Sequence, residues 1–407
     1  MTAPSASVAL RQAEALLYAG RDHDAEAVCA AAFGDRAAPH LGRLRILVAR
    51  AKDPAATAGR AELDATIARM MAELARQPLY QASEFWTYHG SHHLQLLQLY
   101  GLEHFKRTVS HTYQNWFITS PDDPQLRAML AQWPRHNSVE PLLNEIETPS
   151  HVGYHSQGFE YLLAEPEPRA IYKLAVGLIW EFVRAGDRAG LLDMLEEPEI
   201  GDPIRITRRG RLISSDLAHS VRERNLLLET CGWRGDEGLC IAELGAGHGR
   251  LADVFGRSTN YRYVIFDIPP ALYVSQWYVK RLFPDARVFE FRPFDRFDAI
   301  ADELAASRFA FFTANQIEAF PDGAFDGFIN MNSLMEMRRE QIVGFLGHIG
   351  RLTRSAFLSR QWLEWHNPRD GHTVRADDFA LGPPWRKALD VVDEIYPELF
   401  NQVWVRR

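Results

Sequence analysis

The chain has 407 residues, a length that favours two domains over one. Its 46% hydrophobic and 24% charged residues are typical of a globular protein with a packed core. The net charge of −8 argues against nucleic acid or an anionic membrane surface as the main partner.

The cysteines and the amino terminus exclude further classes. Cys29, Cys231 and Cys240 form no CxxC pair, which argues against a disulfide framework and a structural zinc site. The first ten residues lack the basic segment and apolar core of a secretory signal. No apolar run approaches the roughly 20 residues that span a bilayer. We therefore expect a cytoplasmic protein with no membrane partner.

Helical periodicity marks residues 8–75, which are rich in Ala, Leu, Arg and Glu. Small side chains recur at the spacing that lets two antiparallel helices of the tetratricopeptide type approach closely: Ala13, Gly20, Ala25, Cys29 and Ala32. One such pair cannot bury both of its faces, so we expect a single helical hairpin packed on the rest of the protein. The hairpin is also a candidate surface for a second copy of the chain, as in a homodimer.

The segment from Tyr80 to Trp133 is rich in aromatic residues at helical spacing. Five histidines lie among them: His89, His92, His93, His104 and His111. No carboxylate stands at ligand spacing on a face shared with these histidines, and aromatic residues at helical spacing usually form core. We therefore predict packing here and no metal site.

The middle of the chain is predicted to be a helical connector or lid. Residues 134–149 form a polar, proline-bounded link, and a helical stretch follows over residues 169–194. A further helix begins at Ser214, Ser215 and Asp216, which are good N-cap residues, and runs to about Glu229.

After Gly238 the periodicity changes to that of strands alternating with amphipathic helices. The strand-length runs are Leu239–Leu244, Tyr263–Ile268, Phe309–Thr313, Phe328–Met331 and Ala356–Ser359. Such alternation predicts parallel βαβ units. The last runs, Val391–Tyr396 and Gln402–Val405, leave little room for a helix between them and predict an antiparallel hairpin at the end of the sheet.

The predicted fold class is therefore α/β, a doubly wound sheet preceded by an all-helical domain. We place the helical N-terminal domain at 1–145, the connector at 146–235 and the sheet domain at 236–407.

A glycine-rich turn follows the first strand of that domain and opens a helix, the context in which such a turn is informative. It reads Glu243-Leu244-Gly245-Ala246-Gly247-His248-Gly249-Arg250. Its glycines, Gly245, Gly247 and Gly249, permit backbone angles that other residues avoid and let the chain approach a ligand. Glu243 at the strand end is placed to meet a cationic amino group. Asp267 at the end of the second strand can accept hydrogen bonds from both hydroxyls of a ribose.

A nicotinamide dinucleotide site shares this acidic second strand end. Its fingerprint is Gly-x-Gly-x-x-Gly, whereas the spacing here is Gly-x-Gly-x-Gly and Arg250 holds the position of the third glycine. An acid two residues before the first glycine would face a pyrophosphate poorly, but it suits the amino group of a methionine moiety. We therefore predict S-adenosylmethionine as the cofactor.

The glycine turn, continued by Leu251-Ala252, resembles that of class I methyltransferases. Longer segments resemble the sugar O-methyltransferase family: Ile213 to Leu217, Ser220, Glu223, Asp267 to Tyr273, and Asn330 to Met337. The resemblance covers about 85–405 and is strongest over 213–337. His248 departs from it, because a tyrosine is expected at that position. The resemblance implies a Rossmann-like class I fold and methyl transfer to a hydroxyl.

Ligands of doubly wound sheets bind beyond the carboxyl ends of the strands, so residues just after each strand are candidates. Ile268 follows Asp267, and Asn315 and Gln316 follow the third strand, where they could hold the adenine edge or cap a helix. Asn330 and Asn332 follow the fourth strand. We count these five among the cofactor-binding residues; by resemblance the fourth-strand exit faces the methyl group, so Asn332 is a candidate on the acceptor side as well.

A hydroxyl acceptor calls for a general base, and histidine suits that role because its pKa lies near neutrality. His366 and His372 lie in a loop of Gly, Pro and charged residues that we expect to be mobile over the site. His155 lies in a glycine-flanked loop of the connector, and Glu336 follows the fourth strand. These four are the candidate catalytic residues.

Several functions remain open at this level. The acceptor is predicted to be a small molecule such as a sugar or a polar secondary metabolite. An amine, a peptide carboxylate or a cyclisation of the cofactor itself would use the same cofactor site. A carboxylate acceptor would call for a nearby arginine such as Arg360 or Arg369. A non-catalytic scaffold is the remaining alternative, and the intact acids and glycines argue against it.

Overall fold

The structure is a computed structural model that describes residues 6–109, 118–133, 142, 144–147 and 166–407. Its front part is helical. The helices are α1 (Ala6–Tyr18), α2 (Asp22–Phe33), α3 (Ala37–Lys52), α4 (Pro54–Leu74), α5 (Glu84–Tyr100), α6 (Phe105–Thr108) and α7 (Pro124–Gln132).

The first three helices share a small core of their own. Ala13 of α1 and Ala25 and Cys29 of α2 are fully buried in it, and Leu44 and Val48 of α3 complete it. The predicted hairpin of α1 and α2 is therefore present, and α3 closes its open face.

The middle segment packs beside the sheet domain. It contains α8 (Pro166–Gly186), α9 (Leu191–Met194), a small antiparallel sheet and α10 (Ser215–Cys231). The small sheet is formed by β1 (Ile146–Glu147), β2 (Ile206–Arg208) and β3 (Arg211–Ile213). Ser214 caps α10 by accepting a hydrogen bond from the Leu217 N–H at 3.0 Å, as the sequence predicts.

The last part of the chain forms a sheet with helices on both faces. Its strands are β4 (Cys240–Leu244), β5 (Arg262–Asp267), β6 (Val288–Phe289), β7 (Phe309–Thr313), β8 (Phe325–Met331), β9 (Thr353–Trp362), β12 (Trp385–Val392) and β13 (Leu399–Arg406). A separate hairpin, β10 (Glu364–His366) and β11 (Thr373–Arg375), lies between β9 and β12. The accompanying helices are α11 (Arg250–Ser258), α12 (Ala271–Leu282), α13 (Ala301–Ala305) and α14 (Arg339–Leu352).

The strand order is β12-β13-β9-β8-β4-β5-β7-β6. Strands β4 to β9 pair in parallel, and β13 joins β9 and β12 in antiparallel fashion. The chain progresses outward from β4 in both directions, so the order reverses between β4 and β8. This is the doubly wound, mostly parallel sheet predicted from the sequence, and the predicted antiparallel end is confirmed.

The bounds of the terminal hairpin differ from the prediction. Its first strand ends at Val392, so most of the predicted run Val391–Tyr396 lies in the turn. Asp393 organises this turn by accepting hydrogen bonds from the backbone N–H groups of Ile395 and Tyr396 at 2.9 and 3.0 Å. Ile395 and Tyr396 in this turn are buried, so its apolar residues carry the pattern of a strand without forming one.

The front helices α4 and α5 pack into the core of the sheet domain. Leu63 and Ile67 of α4 and Leu97 and Tyr100 of α5 belong to the same buried cluster as Tyr273 of α12. Residues 54–109 are thus built onto the sheet domain, although they precede the predicted boundary at 145. That boundary remains a prediction about folding units.

Candidate active site

A pocket opens at the carboxyl ends of β4, β5 and β8, where the strand order reverses. It encloses about 960 Å³ of space, including its open mouth. Its lining residues come from the sheet domain and from the segment between α4 and α5. From the front part they are Tyr80, Ala82, Ser83 and, in the first turn of α5, Trp86. From the sheet domain they are Glu243 to His248, Arg250, Asp267, Ile268, Ala271, Ala314, Met331 to Ser333, Glu336, Met337, Gln341 and Phe345.

Gly245 and Gly247 line the pocket in the left-handed backbone conformation, with φ of 74° and 59°. A Cβ at Gly245 would lie 2.2 Å from Ser333 Oγ, so no larger residue fits there without displacement. The Gly247 N–H donates to Asp267 Oδ2 at 2.9 Å and so ties the turn to the second strand. Gly249 does not line the pocket; it starts α11 with φ of 86° and lies against Ser275 of α12. Its cofactor-binding role therefore stays a prediction.

Glu243 is buried at the end of β4 and lines the pocket. The Tyr263 hydroxyl donates to its Oε2 at 2.8 Å. Burial raises the pKa of Glu243 to about 8, and the Tyr263 hydrogen bond opposes that rise. A carboxylate at this position is therefore favoured when a cation lies against it.

Asp267 is buried at the end of β5 and lines the same pocket. Its two oxygens accept hydrogen bonds from the backbone N–H groups of Gly247 and Ile268, at 2.9 and 2.7 Å. Burial raises the pKa of Asp267 to about 7, and these hydrogen bonds oppose the rise. A carboxylate has about four lone-pair sites, so each oxygen can accept one more donor.

Asn332 stands at the exit of β8 in a strained conformation. Its φ is 55°, a value that non-glycine residues seldom adopt. Its backbone N–H donates to the Arg360 carbonyl at 2.7 Å, whereas its side-chain Oδ1 is buried with no hydrogen-bond partner. A strained residue with an unpaired acceptor on a pocket wall indicates a site for a donor from a ligand.

Asn330, by contrast, braces the strand ends and does not line the pocket. Its Nδ2 donates to the Leu244 carbonyl at 2.8 Å and to Ser333 Oγ at 2.6 Å. Its Oδ1 accepts from Gln361 Nε2 at 2.6 Å and from the Leu334 N–H at 3.1 Å. Its bonding capacity is used within the protein, so it supports the pocket from behind.

Glu336 lines the pocket on the side of β8. Trp86 Nε1 donates to its Oε2 at 2.9 Å. Burial raises the pKa of Glu336 to about 8, while the indole hydrogen bond lowers it and the charge of Asp267 raises it further. A carboxyl with a pKa near the working pH can accept and return a proton.

The wall opposite the sheet is a strap of residues 78–83, a feature that sequence reasoning missed. Arg338 donates to the carbonyls of Pro78, Leu79, Gln81 and Ala82, at 3.1 to 3.4 Å. Gln341 donates to the Leu79 and Gln81 carbonyls at 2.8 and 2.9 Å. The Tyr80 hydroxyl lies 2.6 Å from Glu318 Oε1 and 2.8 Å from His348 Nε2. These contacts hold Tyr80 and Ala82 on the pocket.

His248 and Arg250 of the glycine turn also line the pocket. Burial lowers the pKa of His248 well below its usual value, so the imidazole is neutral at neutral pH. Arg250 is held by Glu223, with Nη1 2.6 Å from Oε2, and by Ser220 Oγ at 2.8 Å. Glu223 also accepts from Arg360 Nη1 at 2.9 Å. Among the lining residues of the described ranges, Arg250 is the one guanidinium or ammonium group, and it is paired with Glu223.

Asn315 and Gln316 do not reach the pocket, which corrects their prediction as adenine ligands. Asn315 Nδ2 donates to the Glu73 carbonyl of α4 at 3.1 Å. Gln316 closes a capping box with Thr313, and its Nε2 donates to the Arg292 carbonyl at 2.9 Å. The chain turns into a short 3₁₀ helix directly after β7, and this turn directs both amides away from the pocket.

The predicted histidine bases do not line the pocket either. His366 is exposed on β10, with Nδ1 3.1 Å from Thr373 Oγ1. His372 is half-buried just before β11. In the loop between them, Asp370 accepts hydrogen bonds from Asn367 Nδ2 and from the first two backbone N–H groups of α5. Its mobility over the site stays a prediction. His155 lies outside the described residues. Of the three candidate catalytic residues that the structure describes, Glu336 is the one that lines the pocket.

No protein-family model and no curated protein matches the chain. Solved structures of methyltransferases do resemble it. The magnesium protoporphyrin IX methyltransferase from Synechocystis PCC 6803, crystallised with bound SAM, is 13% identical, with 47% of this chain and 84% of that chain covered and a TM-score of 0.30. The 1,6-didemethyltoxoflavin-N1-methyltransferase from Burkholderia thailandensis, with bound S-adenosylhomocysteine, is 14% identical over 47% and 80%, with a TM-score of 0.34.

A third structure, a SAM-dependent methyltransferase from Aquifex aeolicus, is 10% identical over 56% of this chain and 98% of that chain, with a TM-score of 0.29. Likeness at this level carries no information about the acceptor. Within the described part of the chain, no helix is both long and apolar enough to cross a bilayer. The described residues also contain no cluster of side chains that could hold a metal ion.

Proposed function

We propose that the protein is an S-adenosylmethionine-dependent methyltransferase that methylates a hydroxyl of a sugar or another polar small molecule. The observation that carries this proposal is the pair of buried acids, Glu243 and Asp267, on either side of a glycine turn at the switch point of the sheet. The turn is bonded to the second acid through Gly247, so the acids and the backbone form one rigid cradle.

The residues present fit S-adenosylmethionine. Glu243 would hold the ammonium group of its methionine part, which offsets the cost of a buried carboxylate. Asp267 would accept the ribose hydroxyls with the lone pairs that its backbone donors leave available. Gly245 keeps the turn free of a Cβ where the ligand approaches, and Ile268 offers an apolar contact. The unpartnered Asn332 Oδ1 is a further acceptor for a donor of the cofactor or of the substrate.

Bound S-adenosylmethionine supplies a methyl group on a positively charged sulfur, so the protein needs to align the acceptor and remove its proton. Glu336 is placed to accept that proton. Positioning of two reactants supplies about 7–11 kcal/mol of barrier reduction at most. A general base adds a factor of about 10² to 10⁴.

The charges of the pocket favour a neutral acceptor. A carboxylate or phosphate on the acceptor would need an unpaired cation, but Arg250 is already paired with Glu223. Arg360 is buried against Glu223 and Asp393, and Arg369 lies over the Tyr88 ring at 3.5 Å. Neither of the arginines considered for a carboxylate acceptor lines the pocket. Trp86 adds an aromatic surface of the kind that contacts the apolar face of a sugar. A cytoplasmic location and pairing through the front hairpin remain predictions.

The test is transfer of a labelled methyl group to a panel of neutral sugars, amino sugars, sugar acids and amines. We expect label on a neutral polyhydroxy compound and a loss of about 10² to 10⁴ in kcat for Glu336→Gln, with unchanged binding of S-adenosylhomocysteine. Glu229→Gln, at an exposed glutamate outside the pocket, is the control. Label on amines alone, or full activity of Glu336→Gln, would refute this assignment.

A further inference from the structure

Glu336 is held from three sides by residues far away in sequence. Its carboxyl Oε2 accepts the Trp86 indole N–H at 2.9 Å. Its backbone carbonyl accepts from Ser83 Oγ at 3.0 Å and from Asn367 Nδ2 at 3.4 Å. Ser83 Oγ also accepts the Trp86 backbone N–H at 3.3 Å, so the same serine caps α5 and binds Glu336.

The loop between β10 and β11 fixes the start of α5. Asp370 accepts the backbone N–H groups of Glu84 and Phe85, the first two residues of that helix, at 3.0 and 3.2 Å. Asn367 Nδ2 donates to Asp370 Oδ2 at 3.0 Å as well as to Glu336. The hydrogen bonds therefore form a closed ring that runs from Glu336 through Trp86, the start of α5, Asp370 and Asn367 back to Glu336.

We propose that Trp86 is a positioning residue for Glu336, and that Asp370 keeps Trp86 in place by fixing the first turn of α5. The inference rests on the proposed function, in which Glu336 accepts the proton of the acceptor. The indole N–H occupies Oε2 and leaves Oε1 for that proton. The front helix thereby contributes to the reaction without being its base.

The chemistry of the indole supports this role. Tryptophan Nε1 is a donor only, so it stabilises the charged carboxylate and cannot exchange roles with it. Burial works in the opposite direction and raises the pKa of Glu336 to about 8. Loss of the indole N–H leaves burial unopposed, so the pKa rises and less carboxylate is present at neutral pH.

A readout that does not need methyl transfer is the titration of Glu336 itself, followed by ¹³C NMR on protein labelled at the glutamate carboxyl carbon. The Glu336 signal is identified by its absence in Glu336→Gln. In Trp86→Phe we expect its midpoint to move up by about one to two pH units. Trp404→Phe is the matched control, because it loses an indole hydrogen bond, from Nε1 to Gln402 Oε1, outside the pocket. An unmoved midpoint in Trp86→Phe, or an equal shift in the control, would overturn the inference.

The rate measurement uses the same variant and a second one. Trp86→Phe should lower kcat about 10- to 100-fold near pH 7, and the deficit should shrink above the new midpoint.

Asp370→Asn should lower kcat about tenfold by loosening α5. Asp123→Asn is its control, since Asp123 accepts two backbone N–H groups at the start of α7. Equal losses in both aspartate variants, or none in Asp370→Asn, would contradict the proposal. If the midpoint shifts in Trp86→Phe but the unchanged protein methylates no acceptor of the panel, the proposed function is refuted. The positioning of Glu336 by Trp86 is then still supported.

Discussion

At the scale of single residues, the pocket is notable for three carboxyl groups whose pKa values are raised by burial. Burial raises the pKa of Glu243 to about 8, of Asp267 to about 7 and of Glu336 to about 8. Carboxyls of an unfolded chain titrate near pH 4. The folded, ligand-free protein therefore holds more protons than the unfolded chain between about pH 4 and pH 8.

The sign of the pH dependence follows from this difference. A carboxyl whose pKa is raised in the folded state makes its full contribution to stability below its pKa in the unfolded chain. That contribution is lost as the pH rises through the folded-state pKa values of about 7 to 8. We predict that the melting temperature of the ligand-free protein decreases from about pH 5.5 to pH 8.5 on this account. Glu243→Gln should flatten the slope by up to about 1.4 kcal/mol per pH unit, whereas the exposed Glu229→Gln should not. An increase in the melting temperature over this range would contradict the raised pKa values of these three carboxyl groups.

At the residue level, the sequence predicted that Glu243, Gly245 and Asp267 lie together at strand ends, and all three line the pocket. Their strands are recognisable locally, which is why their position could be predicted; their binding of a cofactor stays a prediction. Trp86 could not be found this way, because its partner Glu336 lies 250 residues further along the chain. His366 was predicted to be a base from the composition of its loop, and it does not line the pocket. Loop composition does not show whether a loop lies over a site.

At the scale of elements, a doubly wound parallel sheet with an antiparallel end could be predicted because alternation of strands and helices permits few topologies. The strap of residues 78–83 could not be predicted, since its place depends on donors from α14 and the turn before it. Its backbone carbonyls pair with side chains about 260 residues away, and no pattern in the local sequence records such pairing. The structure shows them paired with Arg338 and Gln341.

Because this strap forms a wall of the pocket, loosening it should weaken retention of the ligand. We predict that Arg338→Gln raises the Kd for S-adenosylhomocysteine about tenfold, mainly through faster dissociation. The adjacent Arg339→Gln is the control, since Arg339 bonds Asp378 and the Thr373 carbonyl instead. Stopped-flow displacement measures both rates. Equal dissociation rates in the two variants would mean that the strap does not confine the ligand.

At the scale of the whole molecule, the front helices fall into two groups. Helices α1 to α3 have a core of their own, while α4 and α5 share the core of the sheet domain and carry Trp86. Composition and periodicity indicated a helical front part. They could not show where its packing changes, because both groups have the same helical pattern.

Truncation separates the two groups. We predict that removal of residues 1–52 leaves a folded protein whose Kd for S-adenosylhomocysteine changes by less than about threefold. Removal of residues 1–109 exposes the apolar face under α4 and α5 and deletes one wall of the pocket, so that variant should aggregate or fail to bind. Size-exclusion chromatography and calorimetry check both. Full binding by the shorter fragment would show that the front helices are dispensable.

The central claim is that the glycine turn between Glu243 and Asp267 holds a sulfonium nucleoside, and calorimetric titration with S-adenosylmethionine and S-adenosylhomocysteine tests it most directly. The account predicts one site per chain, about 10- to 100-fold weaker binding in Asp267→Asn, and little change in the exposed Asp285→Asn. Gly245→Ala should also weaken binding, because its Cβ would meet Ser333 Oγ at 2.2 Å. Absence of heat with both ligands, or heat with a nicotinamide dinucleotide in their place, would contradict it.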